Sequence, residues 1–172
     1  KTDDRIFRLE ITDDYARMWT HLRFQPPARS MDYEGVTIDS RGNFYLISEY
    51  HHRILRVTPA GVAEWFGPNF RTFAEPEGML RRFNAGLEGI TLLEDGSFLL
   101  AAEREERGLI RWNPEHGEDS PPMAIKAMPR TRFTSALAFW RIPDFSGLAT
   151  DSNRVFALFR NAHLVVELER EG

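Results

Sequence analysis

Two pairs of glutamates recur at one spacing and are the strongest candidates for chemistry in this chain. Glu34 and Glu88 each precede a glycine and lie 54 residues apart. A second glutamate, Glu49 or Glu103, follows each of them after 15 residues, and Asp32 lies two residues before the first pair. Gathered around one opening, these carboxylates would offer the oxygen ligands that a hard cation such as Ca²⁺ takes. Crowded without a cation they would repel one another, so that one would hold a raised pKa and act as a general acid or base.

This pattern predicts a metal or catalytic site, with Glu34 and Glu88 as catalytic residues and all five carboxylates as ligands of Ca²⁺. A structural interpretation is equally open, in which the glutamates accept backbone N–H groups and pair with nearby arginines. Arg53 and Arg107 each lie four residues after the second glutamate of a pair. Such pairs would serve blade packing and not catalysis.

Basic residues near the same positions are candidates for binding a small anionic ester or phosphoester. Arg53 and Arg107 would hold its anionic group, since guanidinium groups bind such groups in a bidentate manner. His51 and His52 are adjacent and would point to opposite faces of a strand, so they would not chelate one ion. They are predicted to lie in a loop near the same opening, as substrate-binding candidates. Six further basic residues fall in two long segments, which either rim the opening and bind an anion or form a solvated face: Arg71, Arg81, Arg82, Lys126, Arg130 and Arg132.

The glutamates converge only if the strands around them repeat, and the chain contains three copies of one pattern. Residues 32–38 (DYEGVTI) align with residues 86–92 (GLEGITL), and the offset continues through the next strand. A third copy begins 58 residues later, at residues 144–148 (DFSGL). A constant offset assigns these equivalences in the third copy: Asp32 to Asp144, Glu34 to Ser146, Phe44 to Phe156, Leu46 to Leu158 and Glu49 to Asn161.

Each copy predicts a hairpin and a third strand, because alternating apolar residues flank short turns. An Asp-Gly turn at residues 95–96 marks the second hairpin, and Pro59 and Pro114 end the first two third strands. The predicted strands are residues 35–39, 43–48, 54–57 and 62–66 in the first copy, 109–112 and 123–128 in the second, and 164–168 in the third. Residues 5–9 and 15–22 resemble a third and a fourth strand, and residues 77–83 predict a short turn or helix.

Four strands per copy at this period predict an all-β fold, a β-propeller whose copies are blades; a β-sandwich or an open meander is the alternative. In a blade the first strand lies nearest the axis, and the antiparallel hairpin brings its start beside the end of the second strand. Each glutamate pair is therefore expected at one mouth of the channel. The predicted organisation is one domain, about three blades of a larger, six-bladed ring. Residues 1–31 are the tail of a preceding blade, 32–85 and 86–143 are blades, and 144–172 form a partial blade. The blade aromatics are expected to pack between sheets: Phe44, Phe66, Phe98, Trp112 and Phe156.

Composition excludes several classes of protein. A formal charge of −4 gives no basic field for nucleic acid or anionic lipid. The apolar runs are too short to cross a bilayer. The absence of cysteine excludes disulfides, thiolate metal sites and a cysteine nucleophile. The sequence also contains no signal peptide, no Gly-x-Ser-x-Gly nucleophile elbow and no phosphate-binding glycine loop.

The repeat also carries a family resemblance. Residues 32–36 (DYEGV) followed by 42–49 (GNFYLISE) resemble the opening blade of the phytase-like propellers, the "esterase-like activity of phytase" family. Residues 84–90 (NAGLEGI) resemble the most characteristic segment of that family, and residues 145–148 (FSGL) with 156–160 (FALFR) resemble a later blade. The related SdiA-regulated propellers are a second resemblance.

The resemblance implies a bacterial propeller associated with Ca²⁺, often periplasmic or secreted, with a proposed esterase or phosphatase activity. Two functions follow as alternatives. One is a metal-dependent hydrolase of esters or phosphoesters. The other is a non-catalytic propeller that binds a ligand or a protein partner, with calcium structural or absent.

Overall fold

Antiparallel strands dominate the chain, which a computed structural model describes over residues 4–82, 86–103, 107–117, 120–126 and 144–168. In chain order the strands are β1 (Asp4–Ile11), β2 (Ala16–Phe24), β3 (Tyr33–Ile38), β4 (Phe44–Ser48), β5 (Arg53–Val57), β6 (Ala63–Phe66), β7 (Leu87–Leu92), β8 (Phe98–Ala102), β9 (Gly108–Trp112), β10 (Met123–Lys126), β11 (Gly147–Asp151), β12 (Arg154–Phe159) and β13 (Leu164–Leu168). A single α-helical turn, α1 (Arg71–Ala74), follows β6, and short 3₁₀ turns occur at Pro114–His116 and Arg160–Ala162.

The strands form four sheets, in the order β1-β2, β3-β4-β5-β6, β7-β8-β9-β10 and β11-β12-β13. Two of these sheets are complete four-stranded blades, and the first strands β3, β7 and β11 adjoin one another in turn. This confirms the predicted all-β propeller architecture. The sheets form an arc and do not close into a ring. The six-blade count and the blade boundaries stay predictions.

The hairpins form where the sequence placed turn chemistry. In the first, Asp39 Oδ1 accepts hydrogen bonds from the backbone N–H groups of Arg41 and Asn43, both at 2.9 Å. In the second, Asp95 Oδ1 accepts one from Ser97 N at 3.0 Å. Glycines at φ +82° and +78° complete the two turns in the left-handed region that other residues rarely enter. Local side-chain bonds therefore set the register of both hairpins.

The glycines of the two Glu-Gly pairs let neighbouring inner strands approach closely. A Cβ atom added to Gly35 would lie 3.1 Å from Ile90 N in β7. One added to Gly89 would lie 2.8 Å from Leu148 N in β11. The inner strand of each blade therefore packs backbone to backbone against the inner strand of the next blade. A side chain would block this approach, which explains why glycine recurs there.

Apolar clusters fill the spaces between the sheets, as predicted for most of the blade aromatics. Phe66, Phe98 and Trp112 are buried between the two complete blades. Phe44 packs at the edge of the cluster that joins β1 and β2 to the first blade. The prediction is wrong for Phe156, which is half-buried and lies outside the third cluster. That cluster has three buried members: Ala101, Phe145 and Ala157.

The strand predictions are confirmed within one or two residues at most ends, and the turn or helix predicted at residues 77–83 is a turn. Over residues 77–82 the turn alternative is confirmed, since turns and bends form there and the helical turn α1 comes before them; Phe83 lies outside the described residues. Gly78 at φ +96° and Leu80 at φ +56° are left-handed, a conformation that ends a helix. Residues 127–128 of the predicted strand 123–128 also lie outside the described residues. No helix in the described ranges is long and apolar enough to span a membrane.

Candidate functional site

β-bulges position the first glutamate of each pair. In the first blade Tyr33 pairs with Ser48 and Gly35 pairs with Ile47, so Glu34 is an extra residue without a cross-strand partner. The second blade has the same irregularity at Glu88, between the pairs Leu87–Ala102 and Gly89–Ala101. A bulge bends its strand and re-aims the side chain that it carries. In both blades, therefore, a β-bulge turns a glutamate side chain out of the regular pleat.

The second glutamate of each pair is anchored by its own backbone directly after the second strand. Glu49 N donates to Asp32 O at 2.8 Å, and Glu103 N donates to Gly86 O at 3.0 Å. Asp32 and Gly86 occupy the same place in their copies, so these two bonds are equivalent. They hold the end of the second strand against the start of the first, as the antiparallel hairpin predicts.

Five carboxylates gather at this end of the blades, and we call them the acidic centre: Asp32, Glu34, Glu49, Glu88 and Glu103. Glu49, Glu88 and Glu103 are buried, with 7%, 7% and 2% of their surface exposed. They offer ligand oxygens that all lie within 4.8 Å of one another. Asp32, Glu34 and Glu49 form a second such group, in which Asp32 and Glu34 are exposed. The predicted convergence of the two glutamate pairs is thus confirmed, with one side buried and one side open.

Gly86 is a residue of this site that the sequence analysis did not single out. Its backbone N–H donates to Glu49 Oε1 at 2.9 Å, which ties the first blade to the second. A Cβ atom at this position would lie only 2.3 Å from Glu49 Cγ. The available signal was the contrast between the two copies, since glycine stands at 86 where the first copy has Asp32.

Crowding alters the acidity of the first glutamates. Burial raises the pKa of Glu88 to about 7, and the negative charges of Glu103, Glu34 and Glu49 add to this effect. Burial and the neighbouring Asp32 and Glu49 raise the pKa of Glu34. The positive charge of Arg160 partly offsets this rise in the pKa of both groups. The centre therefore favours a proton or a cation over five bare charges.

The register of the third copy places Arg160, and not Asn161, where the other copies have their second glutamate. Thr150 is equivalent to Ile38 and Leu92, and four residues separate it from its partner Val155, whereas five separate Ile38 and Leu92 from their partners. The constant offset fails from this turn onward, so the predicted equivalence of Glu49 with Asn161 is wrong. Asn161 instead donates to Asp144 Oδ2 at 2.9 Å. A cation of the chain thus replaces a carboxylate in the third blade.

The proposed pairing of each second glutamate with its own arginine is not seen for Glu49. Arg53 Nη2 donates to Gly67 O at 3.0 Å, and its guanidinium lies 5.1 Å from the centroid of the Trp65 ring. Arg53 pairs with Ser48 at the end of β4, and at the equivalent end of β8 the residue that pairs with Ala102 is Gly108. Arg107 is therefore not equivalent to Arg53. The loop between the second and third strands is one residue longer in the second copy, so the offset of 54 residues no longer holds after it. The structural interpretation is supported only in part, by the backbone N–H that Glu49 accepts.

The two histidines lie in the turn after β4, as predicted. His51 Nε2 lies 3.0 Å from Arg29 O, and the ring packs between Tyr50 and Trp65. His52 has φ +51°, and burial followed by the charge of Arg71 lowers its pKa. The roles of both histidines, and of Arg53 and Arg107, in binding substrate stay predictions.

The long inter-blade segments are described in part. Arg71 and Arg81 line an open cavity after β6. The end of β10 carries Lys126, whose side chain is not described. Arg130 and Arg132 lie outside the described residues.

Comparison with known proteins agrees with this architecture and assigns the family. Inner strands that pack through glycine, with carboxylates at one channel mouth, define the class as a β-propeller with an acidic centre. The sequence profile of the phytase-like family, described as "Esterase-like activity of phytase", matches residues 5–159. The chain therefore belongs to the phytase-like family. A comparison with curated proteins gave no significant match.

The solved structures of similar fold include two lyases. A catalytically inactive virginiamycin B lyase from Staphylococcus aureus with quinupristin superposes with a TM-score of 0.54 at 11% identity, over 98% of this chain and 59% of the lyase. A streptogramin B lyase gives 0.55 at 11% identity, over 96% of this chain and 57% of that one. At such identity the likeness shows the propeller fold alone. The chain spans less than three fifths of either lyase.

Proposed function

We propose that the acidic centre binds a divalent cation, with Ca²⁺ favoured, and that the protein hydrolyses small anionic esters or phosphoesters there. The main support is the cluster of buried Glu49, Glu88 and Glu103, whose ligand oxygens lie within 4.8 Å of one another. Uncompensated charges so close together are costly in a buried place, and a cation relieves that cost. Family membership supports the same proposal, including a periplasmic or secreted location.

The residues present fit a hard cation. All five donors are carboxylates, the ligand type that Ca²⁺ prefers, and Asp32 and Glu34 leave the solvent side open for water or substrate. Gly86 N–H fixes one oxygen of Glu49 and leaves the other for a ligand. Such hydrogen bonds from surrounding groups orient metal ligands and are part of a working site.

Each side chain then has a defined task. Glu49, Glu88 and Glu103 hold the cation from the buried side. Glu34, on the exposed side, accepts a proton from a water molecule whose oxygen attacks the ester carbon or phosphorus. The bond to the alcohol oxygen then breaks, and Glu34 returns the proton to that alcohol oxygen as it leaves. A bound cation supplies charge that polarises the ester and makes the water more acidic.

A non-catalytic propeller that binds a ligand or partner is the second candidate. The observation that favours it is the bond from Gly86 N to Glu49 Oε1, because it gives the buried glutamate a structural task between blades. Propellers host both kinds of function, so the fold does not choose.

Turnover of p-nitrophenyl acetate, butyrate and phosphate, with Ca²⁺ or with chelator, separates the two candidates. We expect turnover that requires Ca²⁺ and falls about 100-fold or more in Glu34→Gln, a typical loss for a general base. Glu10→Gln, an exposed glutamate on β1, is the matched control and should keep full activity. Absence of chelator-sensitive turnover on every ester would contradict hydrolysis and favour the binding module.

A further inference from the structure

A cavity of about 470 Å³ opens on the same end of the first blade as the acidic centre. The end of β6 pairs with the start of β5, through Phe66 and Ile54, so the connection to the next blade leaves from the end where Glu49 lies. That connection returns at Gly86, whose N–H contacts Glu49. The cavity is lined by residues of this connection: Asn69, Arg71, Thr72, Glu75, Pro76 and Arg81.

Buried side chains fix the walls of this cavity. Phe70, Met79 and Leu80 have no exposed surface and belong to the apolar cluster between the two complete blades. Phe70 directly precedes Arg71, and Leu80 directly precedes Arg81. Both arginines therefore start from anchored backbone, although their side chains reach solvent.

The cavity has more positive than negative charge. Arg71 Nη2 makes only long contacts, 3.5 Å to Glu75 Oε1 and 3.4 Å to Arg81 O. Arg81 Nε donates to Glu75 O at 3.1 Å, and its two terminal nitrogens have no hydrogen-bond partner among the described residues. Among the described residues that line the cavity, Glu75 is thus the one carboxylate beside two guanidinium groups. An exposed ion pair of this length contributes little, so it leaves both arginines able to bind another anion.

We infer that this cavity binds a phosphate or carboxylate group, held by Arg71 and Arg81, and that it takes the anionic part of the ester substrate. Two arginines offer the planar, bidentate donors that recognise such groups. The anion site stands on the cavity alone, and only the link to an ester rests on the proposed function. The cavity and the acidic centre lie at one end of the first blade, so the fitting substrate is one whose anionic group stands apart from its ester bond.

Calorimetric titration of the full chain with inorganic phosphate, at low ionic strength and with chelator present, tests the anion site by itself. We expect Arg71→Gln and Arg81→Gln each to weaken binding about 10-fold, the effect of losing one charged hydrogen bond. Arg154→Gln is the matched control, because Arg154 is an exposed arginine that pairs with Asp151 in the β11–β12 hairpin. Equal binding by all variants, or no binding by the unmodified chain, would overturn the anion site.

Kinetics with mono-p-nitrophenyl succinate and Ca²⁺ distinguish a substrate group from free phosphate, because the carboxylate of this ester stands apart from the bond that is hydrolysed. For a substrate group, Arg71→Gln and Arg81→Gln raise KM and leave kcat nearly unchanged. An unchanged KM with weakened phosphate binding would overturn the link to the substrate and leave a site for the free ion. Phosphate binding without any turnover by the unmodified chain would instead refute the proposed function and keep the anion site.

Discussion

Glu88 has a carboxyl group whose protonation is coupled to the stability of the fold. Its pKa rises from 4.5 to about 7, so the folded chain binds this proton more tightly than the unfolded chain does. The stabilising contribution is complete below pH 4.5 and is lost as the pH rises through 7. In chelator, Glu88→Gln should therefore match the unmodified chain at pH 4.5 and exceed its stability by about 1–3 kcal/mol at pH 8.

Chemical denaturation at the two pH values measures this difference. Glu10→Gln, which replaces an exposed glutamate on β1, should change neither value. Saturating Ca²⁺ at pH 8 should reverse the order of stability, since the unmodified site would hold the cation more tightly. A Glu88→Gln variant that is no more stable at pH 8 than the unmodified chain would show that burial and the neighbouring charges do not raise the pKa of this carboxyl group.

At the residue scale, types and spacing predicted the acidic centre but not its surroundings. The recurrence of Glu34 with Glu49 in a second copy was enough to place four glutamates together. The contrast between Asp32 and Gly86 in the two copies marked the position of Gly86 but not its role as a donor, because every residue except proline carries a backbone N–H. Arg160 could not be predicted either, because its position depends on the length of one turn.

Gly89 lies at a contact between elements, where β7 meets β11. An added Cβ would lie 2.8 Å from Leu148 N and 3.0 Å from Gly147 C, both backbone atoms that cannot turn away. Gly89→Ala should therefore destabilise the chain by about 1–3 kcal/mol, the usual cost of overpacking. The measurement is the free energy of unfolding in urea.

Gly147→Ala is the matched control, because it holds the same position in the third copy. Within the described part of the chain, the nearest atom to its added Cβ would be Leu158 Cβ at 3.8 Å. Its stability should stay within about 1 kcal/mol of the unmodified chain. Equal losses in the two variants would mean that glycine serves the strand itself and not the approach of the next blade.

At the element scale, turn residues and alternating apolar residues predicted the hairpins. They did not predict the bulges or the length of the third hairpin. Bulges at Glu34 and Glu88 leave the apolar pattern unchanged, so no periodicity reveals them. The third hairpin turns tightly at Ser152, which has φ +55°, and is one residue shorter than the others. A single repeat offset hides that shortening and moves every later equivalence by one position.

At the scale of the whole molecule, the acidic centre is a product of the arrangement of blades. The first blade contributes Glu34 and Glu49, and the second contributes Glu88 and Glu103. The third blade places Arg160 close enough to lower the pKa of Glu34 and Glu88. No single blade holds a complete set. The repeat predicted this convergence, because identical units placed around one axis bring identical positions to one end.

The central claim is that this shared centre binds a cation, and calorimetric titration with Ca²⁺ tests it most directly. We expect one site in the unmodified chain, binding that is at least about 10-fold weaker in Glu34→Gln/Glu88→Gln, and tighter binding in Arg160→Gln, which removes a competing positive charge. Glu10→Gln should bind as the unmodified chain does. Equal Ca²⁺ affinity in the unmodified chain and the double variant would contradict the account.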